Sequence, residues 1–417
     1  MKLLLENIKE LVQVEDNPRP FVAGKNMAEI KTIKNAFLII RDELIQDFGP
    51  MDKLKDVYKD DDFLVEIDCT NRLVYPSYCD SHTHIVFPAP QEAEFVKCIR
   101  GLSNGESARR EDGILYSAQL LHQTSDEKLY DSTMLRIDEI MKTGTGAVEI
   151  KSGYGLFPED EFRMLNIIKE VRKSTPVCVR ATFLGAHVVP AEYKQNVSGY
   201  VDLVINEMIT RVAGEELAEF IDVSCDTDFF SVKDTERILM AGIKYGMRPK
   251  IHANEFAISG GVQVGVKYNS LSVDHLEQIG IEEIEALKGS ETMPTVLPGV
   301  SFFLGVKGAP VRQMIDAGLP VAMASGFNPT ASPSGNMNFI AALGCINYKM
   351  LPQEVINATT LNTAYAMGIS DRLGSIARGK TANVFITSDI PGIEYLPYSF
   401  GSNLVETVIL NGEVQAI

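Results

Sequence analysis

The chain has 417 residues, 45% apolar and 23% charged, the balance of a globular protein with room for one large domain and a smaller one. Asp and Glu total 56 against 39 Lys and Arg; the resulting formal charge of -17 disfavours nucleic acid and anionic membrane as partners, and no local basic patch offsets it. No run approaches about 18 uninterrupted apolar residues, so no membrane-spanning helix is expected.

The opening segment turns acidic at once and lacks the apolar run and small-residue cleavage site of a signal peptide. The six cysteines include no Cys-x-x-Cys pair, and they read as reduced residues of a cytoplasmic protein. Short strands are expected at Leu3–Leu5, Ala36–Ile40 and Phe63–Ile67. Residues 79–375 then alternate short apolar runs with helical stretches that begin acidic, such as the helix opened by Pro158-Glu159-Asp160. Eight strand candidates fall at Cys79-Asp80, Gly146–Ile150, Val177–Phe183, Ile221–Val223, Pro249–Ala253, Leu271–Asp274, Thr295–Leu297 and Pro320–Ala324. Apolar strands with intervening helices mean a parallel sheet, and eight units suit a closed (β/α)8 TIM barrel. An open doubly wound sheet is disfavoured because no Gly-x-Gly-x-x-Gly follows the first strand. Strands return at Ala382–Ile386 and Val405–Leu410, followed by the Asn411-Gly412 hairpin signal. Residues 1–78 and 376–417 are therefore expected to build one small composite β-sandwich domain around the 79–375 barrel.

Five of the six histidines, His82, His84, His187, His252 and His275, fall at or just past a strand end; His122 lies in a helical stretch. Barrel strands converge at their C-terminal ends on one mouth, so this placement points to a site there. His82 and His84, two apart on extended backbone, face the same way and suit a borderline metal such as zinc. His252 is a third nitrogen from another strand. Glu255, three residues on, is a candidate to move protons. His275 either polarises a carbonyl or orients water. His187 either binds substrate or lies near the metal. Tyr154 sits between Gly153 and Gly155, which let backbone approach a ligand. Asn328 either reads an amide or caps a turn.

The motifs DSHTHIVF at 80–87, EIKSGYGL at 149–156, TFLGAH at 182–187, KIHANEF at 250–256, LSVDHLE at 271–277 and FNP at 327–329, with the C-terminal LPYSFGSNLVETVILNGEV, resemble the imidazolonepropionase family of the amidohydrolase superfamily. The resemblance covers nearly the whole chain. It implies a metal-dependent hydrolase barrel with one divalent ion, zinc before iron, a homodimer, and ring opening of 4-imidazolone-5-propanoate to N-formimino-L-glutamate. Carried over residue by residue, it makes His82, His84 and His252 metal ligands and Glu255 and His275 the proton-handling pair. Tyr154, His187 and Asn328 become substrate contacts.

Departures cluster on the presumed site loops. Gly326 stands where the family's last strand ends in an Asp, Gln91 where it has a substrate-clamping Arg, and Asn104 where it has a Tyr. Glu111-Asp112-Gly113 stands where it has three glycines. Gln91 and Asn104 are kept as substrate-binding positions. Three histidines and a water still make a tetrahedral catalytic zinc site. Gly326→Asp is expected to strengthen metal retention. Two other readings stay open: an amidohydrolase for a less anionic cyclic amide, and a catalytically impaired paralogue with a binding role.

Overall fold

The computed structural model describes residues 2–57, 64–100 and 106–416. The chain opens with β1 (Lys2–Leu11), β2 (Ile33–Arg41), β3 (Leu44–Pro50), β4 (Leu64–Asp68) and β5 (Arg72–Pro76). The alternation of β1 shows how one residue sets a strand's faces. Leu3 and Leu5 enter the sheet's core, the register slips between Leu5 and Ile8, and Ile8 and Leu11 enter it next. Asn7 absorbs the slip at φ +53, a β-bulge that re-phases the apolar face.

Eight strands follow: β6 (Tyr78–Thr83), β7 (Thr145–Lys151), β8 (Cys178–Ala186), β9 (Phe220–Cys225), β10 (Arg248–Ala253), β11 (Ser272–His275), β12 (Met293–Val296) and β13 (Ala322–Met323). They pair in sequence order from β6 to β13, all parallel. The helix Pro158–Ser174 starts as its sequence implies, with Pro158 in the first turn and Glu159, Asp160 and Glu161 at the positive end of its dipole.

The last strand is shorter than the expected 320–324: its ladder covers Ala322 and Met323, and beyond Ala324, whose N–H still donates to the Val296 carbonyl at 3.1 Å, the backbone leaves β12 for β6. Gly326 N–H donates to the His82 carbonyl at 3.1 Å and His84 N–H donates to the Phe327 carbonyl at 2.8 Å. With the Thr83–Phe327 bridge, these bonds bring the eighth strand onto the first and nearly close the barrel.

After the barrel, β14 (Val384–Asp389), β15 (Val405–Leu410) and β16 (Glu413–Val414) return to the first sheet. Its order is β16-β15-β14-β5-β1-β2-β3, with β4 also on β1, so both ends of the chain build one mixed sheet. Asn411 and Gly412, at φ +52 and +76, form the tight turn between β15 and β16. We propose domain boundaries near residues 78 and 375. Among the described residues no helix is long and apolar enough to cross a membrane.

Candidate metal and catalytic site

The barrel strands are buried along nearly their whole length, yet their inward positions carry charge at every second residue: Glu149 and Lys151, Asp222, Lys250 and His252, and Asp274. These groups satisfy one another. Lys151 Nζ donates to Glu149 Oε1 at 2.6 Å and Asp222 Oδ2 at 2.8 Å, and lies 3.5 Å from Asp274 Oδ2. Lys250 Nζ donates to Glu149 Oε2 and to the Ser81 carbonyl. Burial by itself disfavours the Lys151 ammonium; the carboxylates of Asp222, Glu149 and Asp274 outweigh it and raise its pKa far above the usual lysine value.

Two of these carboxylates reach up to the histidines. Asp274 Oδ2 accepts from His82 Nδ1 at 2.7 Å, and Asp222 Oδ2 lies 3.1 Å from His252 Nδ1. The first contact holds the His82 proton on Nδ1 and presents Nε2, the usual way a carboxylate orients a ligating imidazole; the second sets a buried carboxylate beside the His252 ring. Burial first, then Lys151 and the neighbouring rings, push the His82 pKa well below the ordinary histidine value, so the ring is neutral. His82, His84 and His252 form the one group of three potential ligands among the described residues, with donor atoms within 4.8 Å of one another. His82 Nε2 and His84 Nε2 are 3.3 Å apart. Two nitrogens about 2.0–2.1 Å from one zinc stand about 3.4 Å apart at the tetrahedral angle and about 3.0 Å apart at a right angle. The observed spacing matches the tetrahedral case. Three buried carboxylates against two ammonium groups also leave a net negative charge beneath the cluster, so the residues present fit a single dication.

Around this cluster stand the other sequence-predicted residues. His187 stacks on His84 with centroids 5.1 Å apart, and its Nδ1 donates to the Gly153 carbonyl at 2.9 Å. Tyr154 lies 5.7 Å from His187 and 5.8 Å from His84, centroid to centroid. Its loop is gripped by Glu161, whose carboxylate accepts from the N–H groups of Gly153, Gly155 and Leu156. His275 packs 5.2 Å from His252, with Glu255 Oε2 3.6 Å from its Nδ1. Asp226 fixes the Glu255 loop by accepting from the N–H groups of Glu255, Phe256 and Ala257. The structure thus gathers His82, His84, His252, His275, His187, Tyr154 and Glu255.

The remaining positions behave differently. Both amide hydrogens of Gln91 are engaged, with the Gly113 carbonyl at 3.0 Å and Ser117 Oγ at 2.7 Å, so the side chain ties its loop to the helix Glu106–Gln123. Asn328 caps its own turn: Nδ2 donates to the Gly326 carbonyl, and Oδ1 accepts from Thr330 and Ala331. Asn104 lies outside the described residues. Glu111 pairs with Lys194 at 2.7 Å. His122, far more exposed than the others, pairs with Asp160.

Gly326 is conformationally special. Its φ is +64, and an added Cβ would stand 2.8 Å from Val300 Cγ2 and 3.4 Å from Leu297 Cδ1. An Asp there therefore starts against a stiff β-branched side chain, in a region that L residues occupy at a cost. Gly326→Asp alone is expected to lose about 1–3 kcal/mol of stability, measured by chemical unfolding. Adding Val300→Ala should recover part of the loss and allow the gain in metal retention. Unchanged stability in the single variant would show that the helix Pro298–Leu304 yields freely.

Glu161, Asp222, Asp226, Glu277, Lys151 and Lys250 escaped the reading of the sequence. For Lys151 and Lys250 the available signal was charge at period two within apolar strands, as in Glu149-Ile150-Lys151 and Lys250-Ile251-His252.

A parallel barrel with His-x-His on its first strand and a histidine on its fifth, beside a sheet made from both termini, defines the amidohydrolase class of metal-dependent hydrolases. A model of the amidohydrolase family matches residues 273–414. The imidazolonepropionase of Flavobacterium johnsoniae is 51% identical over 414 residues, covering 99% of this chain and 100% of its own. That of Thermoanaerobacter pseudethanolicus is 36% identical, covering 98% and 96%. The chain belongs to the imidazolonepropionase family of the amidohydrolase superfamily. Among solved structures it shares its fold with the triazine hydrolase of Arthrobacter aurescens (TM-score 0.76, 14% identity, covering 99% of this chain and 94% of that one). It also shares it with a guanine deaminase of C. acetobutylicum (TM-score 0.73, 16% identity, covering 99% and 100%).

Proposed function

We propose that this protein hydrolyses the cyclic amide of 4-imidazolone-5-propanoate to N-formimino-L-glutamate, a step of histidine degradation. The observation that carries this reading is the convergence of three buried imidazoles beneath the His275–Glu255 pair at the barrel mouth. His82, His84 and His252 would hold one divalent ion, zinc before iron, since three neutral imidazole nitrogens suit a borderline dication. When bound, the ion supplies Lewis-acid polarisation and lowers the pKa of water.

The chain's own residues do the rest. Tyr154 and His187 present two ring faces, tilted 48° to each other, and an imidazolone ring can lie against one of them. With Nδ1–H held by the Gly153 carbonyl, His187 offers Nε2 as an acceptor for a ring N–H. His275 orients the attacking water by accepting from it at a ring nitrogen. Glu255 takes a proton from the attacking water and returns it to the departing ring nitrogen as the carbon–nitrogen bond breaks. We further propose a homodimer located in the cytoplasm; the five described cysteines, all free thiols, support a reducing compartment.

A specific observation favours a second reading. Gln91 replaces a cation and turns its donors to Gly113 and Ser117, so it offers no clamp for a carboxylate. The test is turnover by zinc-reconstituted protein of imidazolone propanoate and of the same ring without the propanoate. Ring opening of the propanoate with the higher kcat/KM is expected. Faster turnover of the neutral ring would favour the second reading, and no turnover of either would sink both.

A further inference from the structure

Strand β11 ends on two consecutive residues in the left-handed region, His275 at φ +85 and Leu276 at φ +67. Neither is glycine, so the surroundings must impose the conformation. Its consequence is local: the chain doubles back and sets Glu277 Oε2 3.6 Å from His275 Nδ1. Glu255 Oε2, from the loop after β10, stands at the same 3.6 Å from the same nitrogen. A neutral imidazole carries one N–H, so only one of the two carboxylates can take it when the contact tightens.

The two carboxylates differ in burial and anchoring. The Glu277 side chain is 4% exposed, and its Oε1 accepts from Ser301 Oγ at 3.1 Å. Its Oε2 is buried and makes no hydrogen bond among the described residues. A buried carboxylate oxygen without a donor is costly, and His275 Nδ1 is the donor beside it. The Glu255 side chain is 9% exposed, on a half-buried loop that opens to the mouth, where water or substrate can meet it.

We propose that Glu277 is the positioning residue for His275. It takes the Nδ1 proton, fixes the ring so that Nε2 is its basic nitrogen, and reserves Glu255 for the proton that moves between water and substrate. Ser301 holds Glu277 in place for this. The division parallels the way a buried acid orients a catalytic histidine in other hydrolases. It deepens the proposed hydrolase function, and only its kinetic arm rests on that reading.

The first arm is nitrogen-15 NMR of histidine-labelled protein, with the His275 signals assigned by their loss in His275→Gln. The Nδ1–H resonance is expected at low field in the wild type and in Glu255→Gln. It should move upfield in Glu277→Gln and vanish into exchange in Glu277→Leu. The opposite dependence, or indifference to both glutamates, overturns the proposal. The second arm is kinetic. Glu277→Gln should lower kcat roughly 10–100-fold, with KM and metal content within about two-fold of wild type. Ser301→Ala should give a smaller fall that disappears in the Glu277→Gln background. An unchanged kcat in Glu277→Gln overturns the proposal, as does a loss confined to KM or to metal content. If the wild type turns over no imidazolone while the NMR arm holds, the substrate assignment fails and the positioning role stands.

Discussion

Lys151→Met is expected to destabilise the fold by about 3–5 kcal/mol, the largest stability effect of any single substitution argued for this protein. The ammonium is completely buried, 2.6 Å from Glu149, 2.8 Å from Asp222 and 3.5 Å from Asp274, all equally buried. Methionine fills much the same volume, so the loss is electrostatic rather than a cavity. Lys250 still reaches Glu149, but Asp222 and Asp274 keep only neutral donors and the histidines they orient. The pH dependence has a definite sign. The Lys151 pKa is raised in the folded state, so its contribution is complete below the unfolded lysine pKa of about 10.4 and declines only above it. The deficit should therefore be constant across neutral pH. Urea unfolding at pH 7 and pH 8.5 checks this. A loss under about 1 kcal/mol at both values would show that the three carboxylates do not depend on Lys151.

That residue also marks what could be read in the sequence and what could not. The barrel was legible because its strands are short apolar runs at regular spacing, and the composite sheet because similar runs recur at both ends. Metal-ligand candidates stood out because histidine is rare here and five of six sit at strand ends. Lys151 did not stand out, since a charge inside an apolar strand declares its role only when the barrel closes and Asp222 and Asp274 from two other strands join Glu149 of its own strand around it. Gly326 was legible as a missing carboxylate. Its left-handed φ and the nearness of Val300 were not, because both arise from the last strand turning away from β12 to join β6. Asn328 could have capped a turn or read a substrate. The fold decides for the turn, through three hydrogen bonds within residues 326–331.

Loss of the metal corner is expected to have the largest effect on activity. His252→Ala should lower kcat/KM by at least about 10³-fold, because the several kcal/mol of charge stabilisation a metal supplies convert at about 1.36 kcal/mol per factor of ten. The fall should come with loss of bound metal. Two imidazoles 3.3 Å apart remain, but the ring set over Asp222 is gone, and with it the third donor from a separate strand. Chelation of the wild type should reproduce the kinetic loss and be reversed by one equivalent of zinc. It should also lower the melting temperature, since ligand at about 100 times its Kd stabilises the folded state by about 2.7 kcal/mol. Asp274→Asn is the graded companion. It keeps an acceptor beside His82 Nδ1 but removes the charge that holds the ring, for an expected loss of roughly 10–100-fold. His187→Ala separates metal binding from substrate binding. That ring stacks on His84 but stands outside the group of three, so the variant should keep its metal and lose affinity for the ring substrate. Metal analysis beside steady-state kinetics distinguishes the cases. Full metal occupancy in His252→Ala, or its loss in His187→Ala, would mean that the ligand set is drawn from other nitrogens than these.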